Sequence, residues 1–187
     1  MKKTRCSWCG DDPLYISYHD EEWGVPVYDD AVLFEFLILE TFQAGLSWLT
    51  ILKKRENFRK AFDGFNYKKI AKYDEKKIAD LLDNSGIIRN RLKVNSAITN
   101  AIAFMKIQEE FGSFSDYIWG FVKGKPIKNT YKSISEIQAN TALSETISKD
   151  LKKRGFKFVG TTVVYAHMQA TGMVNDHLVS CFRYNEV

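Results

Sequence analysis

The chain has 187 residues, 45% of them hydrophobic, which is enough for one well-filled core and short for two independent ones. We expect a single domain over residues 1–187. The net charge of +4 hides a division along the chain, because residues 1–40 carry three basic and nine acidic side chains and residues 41–187 carry 24 basic and 14 acidic ones. The later part is therefore where we expect contact with a polyanion, although ordinary solvated helix faces would give the same count.

The N-terminal segment contains Lys and Arg but no apolar signal-peptide region, and no window approaches the roughly 18 apolar residues of a membrane span. We expect a cytoplasmic protein with no membrane partner. Cys6, Cys9 and Cys181 are too few for a disulfide framework, and a reducing cytosol keeps thiols reduced. Metal binding and plain burial remain as their roles.

Apolar residues recur at helical spacing through most of the chain, which predicts an all-α fold. Two helices, around residues 33–37 and 48–52, meet at a turn near Gly45. The capping-box spacing of Ser113 to Asp116 and of Ser133 to Glu136 predicts two further helix starts. Only residues 122–131 are predicted to form a long loop. The later helices are predicted at residues 74–82, 90–110, 117–122, 143–154 and 161–170.

Metal-ligand residues lie at both ends of the chain. On a helix, His177 and Cys181 would stand one turn apart on a single face, and Cys6 and Cys9 have the C-x2-C ligand spacing. With His19, five candidates compete for the four positions of a tetrahedral zinc site. Such a site would stabilise the fold rather than catalyse a reaction. The alternative is a metal-free buried His-Cys pair with incidental cysteines, and we expect the remaining histidine, at 167, in the core or at its rim.

A cluster of aromatic residues in the first 48 positions accompanies one carboxylate, Glu40, on an otherwise apolar helix. A charge is costly to bury there without a partner. If these side chains line one pocket, they suit a planar cationic ligand such as an alkylated nucleobase. The alternative is that the rings pack in the core and Glu40 lies on the surface. The sequence has no Gly-rich phosphate-binding loop, so it does not point to a nucleotide cofactor. The cluster comprises Trp8, Tyr15, Tyr18, Trp23, Tyr28 and Trp48.

A glycine-bounded turn at residues 155–160 joins two predicted helices and is surrounded by basic side chains. Free backbone N–H groups at the start of the second helix would favour a phosphate. A plain helical hairpin with solvated lysines is the alternative. The basic residues are Lys152, Lys153, Arg154 and Lys157.

The sequence closely resembles the 3-methyladenine DNA glycosylase I family of the helix-hairpin-helix DNA glycosylase superfamily. The resemblance spans nearly the whole chain. It is carried by Arg5-Cys6, Asp12-Pro-Leu-Tyr15, Tyr18-His-Asp20, Glu22-Trp-Gly24, Gln43-Ala-Gly-Leu-Ser-Trp48, Leu52-Lys-Lys-Arg-Glu56, Gly86-Ile-Ile-Arg89, Lys152-Lys-Arg-Gly-Phe-Lys-Phe-Val-Gly-Thr-Thr162 and Val174-Asn-Asp-His177.

The resemblance implies a two-lobed helix-hairpin-helix glycosylase fold with the hairpin motif at about residues 143–170. It also implies one structural Zn²⁺ that joins the N- and C-terminal segments and leaves Cys9 out. The implied ligands are Cys6, His19, His177 and Cys181.

The same resemblance implies a monomeric, monofunctional DNA repair enzyme that flips out 3-methyladenine and hydrolyses its N-glycosidic bond without a lyase step. Its partner would be double-stranded DNA containing alkylated adenine. Glu40 and Tyr18 would act on the base, and Trp8, Tyr15 and Trp48 would pack around it. The implied DNA contacts are Gly45 and Leu46, which would fill the gap in the duplex, and Lys157, Gly160, Thr161 and Thr162, which would bind the backbone.

The superfamily places a catalytic Asp where this sequence has Asn175. N3-methylation already makes adenine a cationic leaving group, so the site would mainly select the base and stabilise an oxocarbenium-like sugar, within a narrow lesion range. There are two rival hypotheses. One is a DNA-binding module that is stabilised by zinc and has no activity, and the other is a C-x2-C redox protein. Release of free base distinguishes the first rival, and dependence on Cys9 distinguishes the second.

Overall fold

The computed structural model describes residues 3–187, so Lys2, one of the basic side chains counted above, lies outside the described residues. Nearly all regular structure in this range is α-helical. The helices are α1 (Pro13–Glu21), α2 (Asp30–Gln43), α3 (Trp48–Ala61), α4 (Tyr67–Ile70), α5 (Glu75–Asp83), α6 (Arg91–Phe111), α7 (Phe114–Gly120), α8 (Ala142–Lys153) and α9 (Thr161–Ala170), and two short parallel strands are β1 (Ile127–Lys128) and β2 (Val174–Asn175).

The helix starts follow from short polar side chains in the sequence. Asp29, Ser47 and Asn90 precede α2, α3 and α6, and each side chain accepts a backbone N–H that has no partner within the helix. At the start of α8, Thr141 and Ser144 form a reciprocal capping box. These local bonds set the phase of each helix and hence the face it buries.

Helix α2 lies at the centre of the core and packs against α3, α6, α7 and α9. Most of its residues from Leu33 to Phe42 are buried, and Phe34 meets Phe104 of α6 edge-to-face at 5.0 Å between ring centroids. The buried apolar side chains form one continuous cluster. Because α2 is apolar on nearly every face, its one buried carboxylate, at position 40, stands out.

The five later helices predicted with bounds are confirmed as α5 to α9 with end shifts of at most three residues, and α9 matches its predicted bounds. The stretches predicted around residues 33–37 and 48–52 belong to the longer helices α2 and α3. Helix α1 and the short helix α4 were missed. The Ser133 capping pattern precedes only a short 3-10 turn at Ile134–Glu136. The Lys132 N–H and the Ser133 hydroxyl both donate to the Glu136 carboxylate, and the Ser133 side chain caps no backbone N–H. The long loop is correct except for β1, which pairs Ile127 with Val174.

Candidate active site and metal site

One pocket of about 360 Å³ brings together residues from across the chain. The cluster predicted from the sequence supplies one side of it, through Trp8, Tyr15, Tyr18, Glu40 and Trp48. Helix α9 supplies another side, and the segment after β1 supplies a third. Trp23, also a member of the predicted cluster, lines the pocket as well. The further lining residues are Gln43, Ile134, Ile137, Gln138, Ala139, Thr162, Tyr165, Ala166 and Gln169.

The rings of the pocket contact one another mostly at tilted or edge-to-face angles. Trp8 lies 5.0 Å from Tyr15 and 4.9 Å from Trp23, and Tyr18 lies 5.6 Å from Trp48, measured between ring centroids. Such contacts hold aromatic walls in place. Burial, and next the nearby Glu40, raise the pKa of Tyr18 well above its usual value, so it remains a neutral phenol at neutral pH. The pocket therefore offers flat aromatic surfaces, to which Glu40 and the glutamines at positions 43, 138 and 169 add polar groups.

Glu40 is the buried carboxylate of this pocket. It is 3% exposed, and its Oε2 has no hydrogen-bond partner among the described residues. Trp48 Nε1, a donor, is likewise buried and without a partner there. Burial raises the pKa of Glu40 to about 8. An unpaired acceptor and an unpaired donor in one aromatic pocket match a planar ligand that carries both kinds of group.

Tyr28, one of the predicted cluster, is absent from the pocket. It packs against Trp119 at 4.4 Å and is 53% exposed. Conversely, the contribution of α9 was missed, although the sequence carried a signal for it. Thr162, Tyr165, Ala166 and Gln169 are spaced three or four residues apart and so share one face of a helix whose other faces are buried. Thr162, predicted to touch the DNA backbone, is therefore also a pocket residue.

The four predicted metal ligands meet in a buried cluster. Their ligand atoms all lie within 4.8 Å of one another. Cys181 Sγ lies 3.5 Å from His19 Nε2 and 3.6 Å from His177 Nδ1, and Cys6 Sγ lies 3.7 Å from His177 Nδ1. Bonds of about 2.0 to 2.3 Å to a tetrahedral zinc imply edges of about 3.5 Å. The residues present therefore fit a metal ion.

The outer nitrogen of each histidine is already bonded, which orients the inner nitrogen toward the cluster. His19 Nδ1 lies 2.8 Å from Asp20, whose carboxylate also binds Arg5, and His177 Nε2 lies 2.9 Å from the Trp23 carbonyl. Metal-binding histidines are usually held in this way. The site thus has both a ligand set and its supporting bonds.

The neighbouring Cys9 lies outside the cluster, because its Sγ donates to the Cys6 carbonyl at 3.1 Å. His177 and Cys181 do not share a helix, which corrects the helical pairing considered from the sequence. An irregular turn, closed by the bond from Cys181 N–H to the Leu178 carbonyl at 2.7 Å, brings them together instead. His167 is buried in the core, as expected.

Asn175 lies away from the pocket. Its amide donates to the carbonyls of Tyr184 and Val187 at 3.1 and 3.0 Å, and its side-chain oxygen accepts the His177 N–H. All of these bonds fix the C-terminal segment. The next residue, Asp176, points toward the pocket wall instead and binds the Tyr165 hydroxyl at 2.7 Å.

The turn between α8 and α9 is held from inside the protein. Buried Asn100 exchanges two hydrogen bonds with the backbone of Lys157, and Ser148 donates to the Val159 carbonyl at 2.6 Å. Helix α9 begins after Gly160, which has no side chain to cap it, so the first N–H groups, including that of Thr161, have no partner within the helix. This is a suitable geometry for an anion.

The charges around this turn differ from the prediction in one respect. Lys152, Lys153 and Lys157 are exposed. Arg154, by contrast, forms ion pairs with Glu110 and Asp150, so its charge is neutralised within the protein.

The turn between α2 and α3 projects from the surface. Gly45 has a φ of +85°, a conformation that favours glycine, and Leu46 is 41% exposed. The ammonium of Lys93 in α6 donates to the carbonyls of Phe42 and Ala44 at 2.8 Å each. The turn is therefore an exposed apolar tip on an anchored base. No helix among residues 3–187 has the length and apolar character to cross a membrane.

A family model described as methyladenine glycosylase matches residues 8–184. DNA-3-methyladenine glycosylase 1 of Escherichia coli (strain K12) is 49% identical over 180 residues, which cover 96% of each protein. A crystal structure of 3-methyladenine DNA glycosylase I is 50% identical with a TM-score of 0.93 and covers 96% of this chain and 98% of that one.

A further structure concerns 3-methyladenine recognition by 3-methyladenine DNA glycosylase I from Staphylococcus aureus. It is 39% identical with a TM-score of 0.92 and covers 95% of each chain. Sequence, length and fold therefore agree over nearly all of the described residues. The chain belongs to the methyladenine glycosylase family, whose members are hydrolases.

Proposed function

We propose that this protein is a DNA repair glycosylase that excises 3-methyladenine from alkylated double-stranded DNA by hydrolysing its N-glycosidic bond. The observation that carries the proposal is the buried Glu40 carboxyl group, without a partner among the described residues, in a pocket walled by aromatic rings. The Staphylococcus aureus relative, which recognises 3-methyladenine, supports the choice of base.

The pocket suits an extruded base. Trp8, Tyr15 and Trp48 pack against the purine, and Glu40 with Tyr18 takes its polar edge. A neutral carboxyl group becomes a carboxylate when a cationic base enters, because the opposite charge lowers its pKa. Extruding a base costs a few kcal/mol, and less where damage has weakened pairing. The aromatic walls and Glu40 offset this cost for a cationic purine.

The chemistry needs little help in proton transfer to the leaving group. An N3-methylated adenine leaves as a neutral molecule once the bond to the sugar breaks, and positive charge then develops on the sugar. No lysine lines the pocket among the described residues, so we assign no amine nucleophile and no lyase step. Borohydride trapping of a covalent protein–DNA adduct would contradict this assignment.

The DNA contacts are assigned to the two surface turns. We propose that α8, the turn and α9 form the hairpin motif of a two-lobed helix-hairpin-helix glycosylase, in which Gly160, Thr161 and Thr162 meet a phosphate and Lys157 adds charge. Gly45 and Leu46 fill the gap left by the extruded base. The supporting observations are the uncapped start of α9 and the exposed tip between α2 and α3. We expect the protein to act as a monomer.

We further propose that Cys6, His19, His177 and Cys181 hold one structural Zn²⁺. Four nitrogen and sulfur ligands at tetrahedral spacing leave no position for substrate. The ion would close a loop of more than 170 residues and so stabilise the fold. None of the four ligands lines the pocket.

The decisive experiment incubates the native protein with methylated duplex DNA and separates the released bases by chromatography. We expect free 3-methyladenine as the principal product. Binding to the duplex without base release would favour the rival hypothesis of a DNA-binding module. Equal release of 7-methylguanine would contradict the narrow lesion range.

A further inference from the structure

Asp176 carries a buried carboxylate that the proposed function does not use. It is 1% exposed and accepts three hydrogen bonds of 2.7 Å, from Asn129 at Oδ1 and from Tyr165 and Gln169 at Oδ2. Two of these donors are amide nitrogens, which cannot accept a hydrogen bond. Each oxygen of the carboxylate therefore accepts at least one amide N–H, and the carboxylate is held by three donors.

This negative charge has no positive partner among residues 3–187. The ion pairs of the described chain involve other carboxylates, and no Lys, Arg or His nitrogen lies within 4.0 Å of Asp176. A buried charge that lacks a counter-charge destabilises a fold. Its retention is easier to understand if the counter-charge arrives with a ligand.

Two of the three partners of Asp176 face the place where that ligand would lie. Tyr165 and Gln169 both line the base pocket, one helical turn apart on α9, whereas Asn129 does not line it. Gln169 Nε2 donates to Asp176, so the side-chain carbonyl oxygen is the polar atom of Gln169 that is left for a ligand. The amide dipole is thus oriented by the carboxylate, and an oriented dipole favours positive charge at its oxygen end.

The carboxyl group that lines the pocket itself, that of Glu40, does not supply this charge before substrate binds. The pKa of Glu40 is raised to about 8 by burial, so at pH 7 most molecules carry it protonated. Asp176, which is hydrogen-bonded to two residues of the pocket wall, can supply negative charge there instead.

We propose that Asp176 is an electrostatic positioning residue: acting through Tyr165 and Gln169, its carboxylate makes the pocket selective for a cationic base and for the positive charge that develops on the sugar. This inference rests on the proposed function and adds to it the group that sets the charge preference of the pocket. It also separates Asp176 from its neighbour Asn175, whose side chain bonds only the C-terminal segment.

The test uses two duplexes that differ in one charge. One contains a pyrrolidine abasic-site analogue, which is cationic, and the other contains the neutral tetrahydrofuran analogue of nearly the same shape. The measured quantity is the ratio of the two affinities for wild type and Asp176→Asn. We expect a loss on the order of tenfold in this ratio, because only the cationic analogue loses a charge–charge attraction. We also expect kcat for 3-methyladenine release to fall more than KM rises.

Asn129→Ala is the matched control, because it removes the third bond of Asp176 and leaves both the charge and the pocket wall intact. A ratio that falls in Asp176→Asn and stays at the wild-type value in Asn129→Ala supports the inference. An unchanged ratio in Asp176→Asn, or an equal fall in both variants, overturns it. If Asp176→Asn does not fold, Gln169→Met takes its place. We then expect the affinity ratio to fall in Gln169→Met, and an unchanged ratio would overturn the inference. A wild type that binds neither duplex more tightly than undamaged DNA would overturn the proposed function as well.

Discussion

Glu40 and Trp48 line the same pocket, and each presents a buried polar atom, an acceptor and a donor, that bonds nothing else among the described residues. Since buried polar groups are normally paired, a polar atom without a partner is costly in the fold. We expect both atoms to gain a partner when a base binds.

Replacing Glu40 tests its part in the reaction. Glu40→Gln keeps the shape but cannot become a carboxylate, so we expect kcat/KM for 3-methyladenine release to fall on the order of 100-fold. Steady-state base release from methylated DNA is the measurement. Glu109→Gln, an exposed change on α6, is the control and should match wild type. A wild-type rate for Glu40→Gln would remove Glu40 from the mechanism.

The same substitution should change how stability depends on pH. The pKa of Glu40 is raised to about 8 in the fold from an ordinary 4.5, so only the unfolded chain ionises between these values and the fold loses stability as pH rises. At about 1.4 kcal/mol per unit, the loss between pH 4.5 and pH 7 is about 3 kcal/mol. Denaturant unfolding at both pH values should show this loss in wild type relative to Glu40→Gln. Parallel curves would mean that Glu40 is ionised in the free protein.

His167 predicts the opposite slope at acid pH. Both of its ring nitrogens are buried without a partner among the described residues, and burial lowers its pKa to about 4 from 6.5. Its contribution to stability is complete above pH 6.5 and is lost as pH falls toward 4, by about 3 kcal/mol in all. Relative to wild type, His167→Leu should therefore lose less stability between pH 7 and pH 4.5. Identical losses would show that protonated His167 finds a partner in the fold.

Replacing one of the four ligands distinguishes a zinc site from a metal-free cluster. Cys181→Ser should lose the bound zinc, measured by elemental analysis, and should unfold at a temperature lower by about 10 °C or more, since structural zinc contributes directly to folding free energy. Cys9→Ser is the control and should keep both the metal and activity, because Cys9 bonds only a carbonyl. Full metal content in Cys181→Ser would contradict the ligand assignment, and loss of activity in Cys9→Ser would revive the redox hypothesis.

Much of this architecture was predictable from the sequence, and the predictions that failed did so for physical reasons. Apolar residues at helical spacing located α2, α3 and α6, and the capping-box spacing at Ser113 located the start of α7. Helix α1 was missed because Leu14, Ile16 and the tyrosines around them do not form a single apolar stripe; its starting signal was Asp12, which caps Leu14 N–H, followed by Pro13.

The site was predictable where it depends on distinctive residue types. It was not predictable where it depends on contacts between residues that are far apart in the sequence. Cysteines and histidines at the two ends suggested a metal, but five candidates for four positions could not be resolved by spacing. The bonds of Asp176 to residues 129, 165 and 169 depend on how β1, β2 and α9 pack, and no local pattern encodes that packing.

Lys93 offers a test of the turn that carries Gly45 and Leu46. Its buried ammonium holds the carbonyls of Phe42 and Ala44 at the end of α2, where positive charge is favoured. Lys93→Met leaves these carbonyls without that donor, so we expect the turn to lose its fixed position and kcat/KM on duplex DNA to fall about tenfold, while the pocket itself is unchanged.

The matched control is Lys106→Met, on an exposed position of the same helix. Two measurements separate the roles: excision from methylated duplex reports the turn, and quenching of tryptophan fluorescence by free 3-methyladenine reports the pocket. For Lys93→Met we expect weaker excision with an unchanged affinity for the free base. If both fall together, Lys93 shapes the pocket through α2, and the exposed turn loses its assigned part in filling the duplex.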